Sequence, residues 1–366
     1  MINDEIFFAL AINEIEDLGP IRSKKLYSYF GSFKEIFNSD LEKIASVEGI
    51  GLQLSKKIKF FDNWKKIERV IKDCEKGDIQ ILSFNSNKYP KFLKEIPDPP
   101  PVLFCRGELM DEDNYGVAIV GSRRLTDYGR KVTDKLGSEL ASLGITIVSG
   151  LARGIDSIAH EASLSSNGRT VAVLGSGVSY IYPPENRRLA ERITKNGAIL
   201  SEYYPDAGPR RENFPQRNRI ISGMTLGTLV TEATINSGAL ITASFALEQG
   251  KEVFAVPGNI NSKNSEGTNL LIKRGAKVVT SVEDILEEII VFIPSLKESM
   301  VNRKAAKEVQ FAEDEKLVFN LLEEAMTLDE LVVKSGFNVS KLHEILLNFE
   351  IKGLITKREG RYMRRN

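Results

Sequence analysis

The spacing of apolar positions changes twice along the chain. Over roughly the first 75 residues apolar side chains recur at helical intervals, as at Ile6, Leu10 and Ile12. A stiff lead-in follows: Asp98-Pro99-Pro100-Pro101 is extended, and Val102-Leu103-Phe104-Cys105 reads as a strand ending at Arg106-Gly107. From Val117 the pattern becomes short, near-continuous apolar runs alternating with helical segments. The runs fall at residues 117–120, 145–148, 170–174, 198–200, 228–231, 253–256 and 277–279. Strands apolar on both sides and separated by helices predict a parallel sheet covered on both faces. The fold class expected is α/β, with a central Rossmann-like, doubly wound, mostly parallel sheet. Residues 294–312 are polar, charged and without period. The tail, residues 313–366, reads as three short helices and a two-stranded ribbon, a winged-helix-like domain. The domain plan is therefore a small helical domain at 1–75, a Rossmann-like domain at 76–293 with its lead-in at 76–116, a linker at 294–312 and the tail.

Within the helical segment two phrases are alike. Leu18-Gly19-Pro20-Ile21-Arg22-Ser23-Lys24-Lys25 and Val47-Glu48-Gly49-Ile50-Gly51-Leu52-Gln53-Leu54-Ser55-Lys56-Lys57 each place a glycine turn before a helix with paired lysines. They resemble tandem helix-hairpin-helix (SAM-like) units, whose turns can offer backbone N–H groups to a phosphate. The alternative is a helical bundle with glycines at helix ends, and the first phrase lacks the second glycine of the pattern. In the tail, the third helix begins Val339-Ser340-Lys341-Leu342-His343-Glu344; one lysine against Glu344 and Glu350 suits a protein contact at least as well as DNA.

Composition narrows the classes. The 366 residues carry 50 Lys+Arg and 50 Asp+Glu, so any nucleic-acid site must be a local patch. Cys74 and Cys105 are too few for a disulfide framework, and no Cys/His cluster suggests a metal. The acidic start, Met1-Ile2-Asn3-Asp4-Glu5, is unlike a signal peptide, and no apolar run reaches membrane-spanning length. The expected location is cytoplasmic, without membrane contact.

The local patch is Pro209-Arg210-Arg211-Glu212-Asn213-Phe214-Pro215-Gln216-Arg217-Asn218-Arg219, where four arginines meet one glutamate. Its two prolines argue against plain helix. Arginine forks grip phosphate, and an aromatic between them offers a face for a base; a solvated basic loop with Phe214 in a core is the alternative. Three strands of the central domain end in glycine motifs: Gly121-Ser122-Arg123 (with Arg124), Ser149-Gly150-Leu151-Ala152-Arg153-Gly154, and Gly175-Ser176-Gly177. In an open parallel sheet these ends share one edge, where ligands bind, although each glycine also suits a tight strand-to-helix turn. There is no GxGxxG and no GxxxxGK[ST], which argues against a dinucleotide cofactor and a P-loop ATPase. His160 reads as packed or surface, Asp156 as a helix cap or a partner of Arg153, and no base is paired with a nucleophile. The crevice reads as a binder, with no catalytic residue, metal or cofactor assigned.

Those glycine motifs, with Tyr182-Pro183, Glu185-Asn186, Phe214-Pro215-Gln216-Arg217-Asn218-Arg219-Ile220-Ile221-Ser222-Gly223, Glu232-Ala233, Ser237-Gly238-Ala239-Leu240-Ile241-Thr242-Ala243 and Val256-Pro257-Gly258, resemble the bacterial DNA processing protein A (DprA, or Smf) family. The resemblance implies a homodimeric single-stranded DNA binder that protects incoming strands during natural transformation, helps displace single-strand-binding protein and loads RecA recombinase. It also implies no enzymatic activity. The implied DNA-binding set is Gly121, Ser122, Arg123, Arg124, Gly150, Gly175, Ser176, Gly177, Arg210, Arg211, Phe214, Arg217, Asn218 and Arg219, with Arg123 on phosphate and Phe214 stacking on a base. Arg217 and Arg219 have a structural alternative, burial against carboxylates such as Glu232. The competing reading is an enzyme, because the fold also resembles nucleotide-hydrolysing lysine-decarboxylase-like proteins with a Pro-Gly-Gly-x-Gly-Thr-x-x-Glu loop. The comparable stretch here, Ser222-Gly223-Met224-Thr225-Leu226-Gly227-Thr228-Leu229-Val230-Thr231-Glu232, lacks the leading Pro-Gly-Gly and has its glutamate one place late.

Overall fold

The computed structural model describes residues 4–293, 313–351, 354–358 and 360–364. The chain divides into two compact units, Met1–Pro294 and Ser295–Asn366. The linker expected over 294–312 lies outside the described residues.

The first unit is built on a nine-stranded sheet. Its strands are β1 (Gln80–Ser83), β2 (Val102–Gly107), β3 (Val117–Gly121), β4 (Ile147–Ser149), β5 (Thr170–Val173), β6 (Gly197–Ser201), β7 (Gly227–Glu232), β8 (Glu252–Ala255) and β9 (Lys277–Val278). Their order is β1-β2-β6-β5-β4-β3-β7-β8-β9. The seven strands from β6 to β9 pair in parallel, and β1 and β2 extend the sheet antiparallel beyond β6. The chain thus runs outward from β3 to β6, then returns to β7 on the other side of β3. That reversal is the switch point of a doubly wound sheet, and the carboxyl ends of the parallel strands share the edge beside it. The Val, Ile, Leu and Ala side chains of β2 to β8 are buried, as the near-continuous apolar runs require.

Helices between Asp4 and Lys76 make the predicted helical segment. It holds an aromatic cluster in which Phe7 stacks on Trp64 at 5.4 Å, and Phe37 and Phe61 meet the same indole edge-on. Its core is continuous with one face of the sheet: Leu10, Ile12 and Ile58 belong to the same buried cluster as Phe104, Leu174 and Ile199. The helix Trp64–Lys76 ends where the domain boundary is expected, but the packing has no gap there. Both helix-hairpin phrases do open helices, Gly19–Phe30 and Gly51–Lys59. Gly49 takes φ +81°, and Asp17 takes φ +65° in the first hairpin, so an aspartate fills the place of the missing glycine. The Lys57 ammonium holds that aspartate at 2.7 Å.

The second unit has helices Glu313–Leu321, Leu328–Ser335 and Val339–Ile351, then the antiparallel ribbon β10 (Ile355–Arg358) and β11 (Arg361–Arg364). This is a winged helix around Val318, Leu331, Leu342, Leu346 and Phe349. A Thr327–Glu330 capping box starts its second helix and Gly336 at φ +73° ends it. Among the described residues no helix is long and apolar enough to cross a membrane.

The shared core makes an expected outcome. Phe104→Ala in β2 should destabilise the first unit by about 3–5 kcal/mol. Fluorescence of Trp64, the chain's one tryptophan, should show the same loss during urea unfolding, although it sits in the helical segment. A tryptophan transition unmoved by Phe104→Ala would show that the segment folds separately.

Candidate nucleic-acid interface

The carboxyl edge of the sheet is organised by the helix Asn213–Gly223, which carries two of the basic stretch's four arginines. The stretch is more helical than its prolines suggest, because Pro215 sits in the first turn, where a backbone N–H has no intrahelical partner to lose. Asn213 anchors the helix start by donating from Nδ2 to the Gly175 carbonyl at 3.0 Å. Phe214 then lies against the end of β5, and a Cβ on Gly175 would stand 2.9 Å from its ring. The Arg123 guanidinium, from the turn after β3, lies 5.7 Å from the centre of the Phe214 ring. Tyr182 flanks the same ring at 5.7 Å, tilted by 49°. Arg123 and Tyr182 are exposed and Phe214 is half-buried. An aromatic face beside a cation at a rigid strand edge is what a stacked base and its phosphate require.

Around this centre Arg124, Arg153, Arg210 and Arg211 are exposed. Arg153 is paired with Glu185. Sequence reading did not place Arg153 or Tyr182 in the site; the signal available for Tyr182 was an aromatic in the loop after the third glycine motif.

Several expected contact residues are instead inside. Arg217 is 3% exposed, and its Nη1 donates to the Gly150 carbonyl at 2.8 Å and to the Val173 carbonyl. It thereby ties the ends of β4 and β5 to the helix. Burial lowers its pKa to about 10, against the opposing pull of Asp156, so it remains cationic at neutral pH. Asp156, buried near it, accepts from the Gly150 and Ala152 amides at 3.1 and 3.3 Å, and desolvation raises its pKa. Asp156 therefore secures the β4 turn; Arg153 has Glu185 instead. Asn218 is buried, with Nδ2 donating to the Gly238 carbonyl at 3.2 Å. Arg219 is buried between Asp98 (2.9 Å) and Glu202 (2.7 Å). Neither arginine meets Glu232, which accepts from the Thr126 amide and hydroxyl at 2.9 and 2.6 Å. The hydroxyls of Ser122 and Ser176 turn inward to the carbonyls of Arg124 and Tyr180.

The glycines also have internal reasons. A Cβ on Gly121 would meet Ile155, one on Gly150 the Arg217 guanidinium, and one on Gly177 the Tyr204 and Pro205 carbonyls. His160 is buried, with Nδ1 2.6 Å from the Thr170 hydroxyl, and burial followed by the charge of Arg217 lowers its pKa to about 3. The stretch compared with the nucleotide-hydrolase loop, from Ser222 to Glu232, is buried throughout, so it forms no surface loop for a phosphate. Among the described residues no His/Cys/Asp/Glu group could hold a metal.

With that geometry in place, the family models are decisive. The model for DNA recombination-mediator protein A matches residues 80–290, and that for the DprA winged helix domain matches residues 303–361. The chain belongs to the DNA recombination-mediator protein A family. A DprA-family relative, Protein Smf of Synechocystis, is 35% identical over 399 aligned positions covering 100% of both chains. The X-ray structure of DNA processing protein A from Streptococcus pneumoniae superposes with a TM-score of 0.67 at 35% identity, covering 77% of this chain and 97% of that one. DNA processing protein A from Helicobacter pylori, described for its single-stranded DNA binding mode, matches with a TM-score of 0.52 at 32% identity over 58% of this chain and 95% of that one.

The division between buried and exposed arginines is measurable. Arg217→Met would take the guanidinium donor from the Gly150 and Val173 carbonyls and leave the buried Asp156 without its opposite charge, at a cost of about 3–5 kcal/mol. Arg123→Ala should leave the urea midpoint where it was. Equal midpoints for the two variants would remove the structural role of Arg217.

Proposed function

We propose that the protein is a single-stranded DNA binder whose site is the carboxyl edge of the sheet, with Arg123, Phe214 and Tyr182 at its centre and Arg124, Arg210 and Arg211 along the strand's path. The contact of Arg123 with the Phe214 ring, 5.7 Å from its centre, carries this reading. The property described for the Helicobacter pylori relative supports it. In this reading Gly121, Gly150, Gly175 and Gly177 shape the edge, and Arg217, Asn218 and Arg219 hold it in place. The protein then acts as a recombination mediator: it protects incoming strands in natural transformation, yields them to RecA recombinase and competes with single-strand-binding protein. It works through binding, without catalysis.

A titration with labelled oligo-dT at two salt concentrations tests the site. Each phosphate neutralised on a single strand contributes about −0.7 to the slope of log K against log[salt], so two or three arginine contacts should give about −1.5 to −2 per protomer. Arg123→Ala should weaken binding at least about 10-fold and make the slope shallower. Phe214→Ala should lose about 1–3 kcal/mol of stacking and leave the slope nearly unchanged. A folded Arg123→Ala or Phe214→Ala variant that binds like the parent removes that residue from the site, and tighter binding to blunt duplex than to oligo-dT overturns the reading.

Homodimerisation belongs to the same proposal. Late in the first unit Ile241 and Leu247 are exposed on the helix Gly238–Glu248, and Val291 and Phe292 are 65% and 52% exposed after Ile289. Exposed apolar groups of this kind find partners. Light scattering at micromolar concentration should give the mass of a dimer, and Phe292→Asp should shift it toward the monomer; a monomeric parent refutes the dimer.

A further inference from the structure

The carboxyl edge of the sheet continues past Arg124 to the far side of the switch point. In the strand order β5-β4-β3-β7-β8, Phe214 stands at the end of β5, four strand spacings, or about 19 Å, from the end of β8. Two hydrogen bonds tie the loop after β8 to the turn after β3. Tyr128, in the first turn of the helix Asp127–Ser142, donates its hydroxyl to the Pro257 carbonyl at 2.8 Å. Asn264 donates Nδ2 to the Arg124 carbonyl, also at 2.8 Å. The turn is itself held from below. Thr126 caps the helix by accepting from the Gly129 amide at 3.2 Å, and its own amide and hydroxyl donate to the buried Glu232.

Tyr128 is thus fixed both through its backbone and through its hydroxyl, yet it is 48% exposed. A tyrosine whose hydroxyl already has a partner offers a ligand chiefly its ring. Burial, and then the charge of Glu232, raise its pKa, so the phenol stays neutral beside a phosphate. Ile260, three residues beyond Pro257, is 85% exposed in a turn that the Ser262 amide closes on the Asn259 carbonyl at 2.9 Å. Such turns ordinarily carry Gly, Pro, Asn, Asp or Ser.

The charges here are uncommitted. Residues 123–131 carry Arg123, Arg124, Arg130 and Lys131 against Asp127. Residues 257–265 carry Lys263 and no acid, and Glu266 follows. All of these charged residues are exposed, and among the described residues none of the cations is held in an ion pair. Lys131 lies one turn from Tyr128 on its helix, at the spacing that shares a face.

We infer that Tyr128 is a second base platform, on which a single strand lays a further base after crossing from Phe214 over Arg123 and Arg124, with Lys131 and Lys263 taking the adjoining phosphates. This rests on the proposed site around Phe214 and extends it from one stacking position to a track along the edge. A duplex fits the track less well, because its bases must leave the stack before a ring can meet their faces.

The test is a graded series of labelled oligo-dT lengths, titrated by anisotropy against the full-length protein. Phe214→Ala should weaken binding at every length. Tyr128→Ala should bind the shortest oligomers like the parent and the longer ones at least about 5-fold more weakly. The length at which the loss sets in marks the span between the two rings. Tyr128→Phe keeps the ring and gives up the Pro257 bond, so it should bind the long oligomers like the parent. Lys263→Ala should make the salt slope for long oligomers shallower by about 0.7 and leave the slope for short ones unchanged. Unchanged melting temperatures confirm that the variants are folded. If Phe214→Ala is weakened but Tyr128→Ala binds the longest oligomers like the parent, the second platform is overturned and the first remains. Equal losses in Tyr128→Ala and Tyr128→Phe also overturn it, since the hydroxyl's hold on the loop would then be the whole effect. So does a loss in Tyr128→Ala that is the same at every length. Parent-like binding by Phe214→Ala at every length overturns the underlying site, and the track with it.

Discussion

A buried guanidinium holds the carboxyl edge of this fold's sheet together. Removing a cation from water is costly, and a protein tolerates it only where the geometry satisfies the charge and its donors. Arg217 meets that condition beneath the ends of β4 and β5, where it binds the carbonyls of Gly150 and Val173 while Asp156 supplies opposite charge. The consequences run outward. Gly150 has no side chain because the guanidinium occupies that space. The helix Asn213–Gly223 is fixed against two strand ends, which places Phe214 on Gly175 and within reach of Arg123. His160 is kept neutral partly by the same charge. Thus a ring that sits at the surface is positioned by a charge that never reaches it.

The sequence was most legible where a single period dominated. Continuous apolar runs marked β3 to β8, because strands buried on both faces leave no polar positions to confuse the reading. The winged helix was readable from its short helices and terminal ribbon. β1 was missed because its four residues, Gln80–Ser83, are partly polar and pair at an edge. The burial of the basic stretch was not legible residue by residue. Arginine is usually a surface residue, and nothing in Arg217-Asn218-Arg219 says that their helix turns inward. That depends on Asp98 and Glu202, 121 and 17 residues away from Arg219 in sequence. Glu232 was the wrong partner for these arginines because it is spent on Thr126, at the start of the helix beside the switch point.

Zero net charge conceals a strong division of charge. The edge loops expose Arg123, Arg124, Arg210 and Arg211, and residues 19–59 carry eight lysines and arginines against four acids, whereas residues 313–366 hold nine lysines and arginines against ten acids. In the winged helix several cations are committed internally. Lys341 is paired with Asp314, Arg361 donates to the Ala325 carbonyl, and Arg364 donates to the Phe319 carbonyl. A helix that reads a duplex groove needs free cations to offset phosphate charge. The helix Val339–Ile351 instead exposes Val339, His343, Glu344 and Leu347. The exposed arginines at the sheet's carboxyl edge, Arg123, Arg124, Arg210 and Arg211, therefore form a local basic patch in a chain that is neutral as a whole.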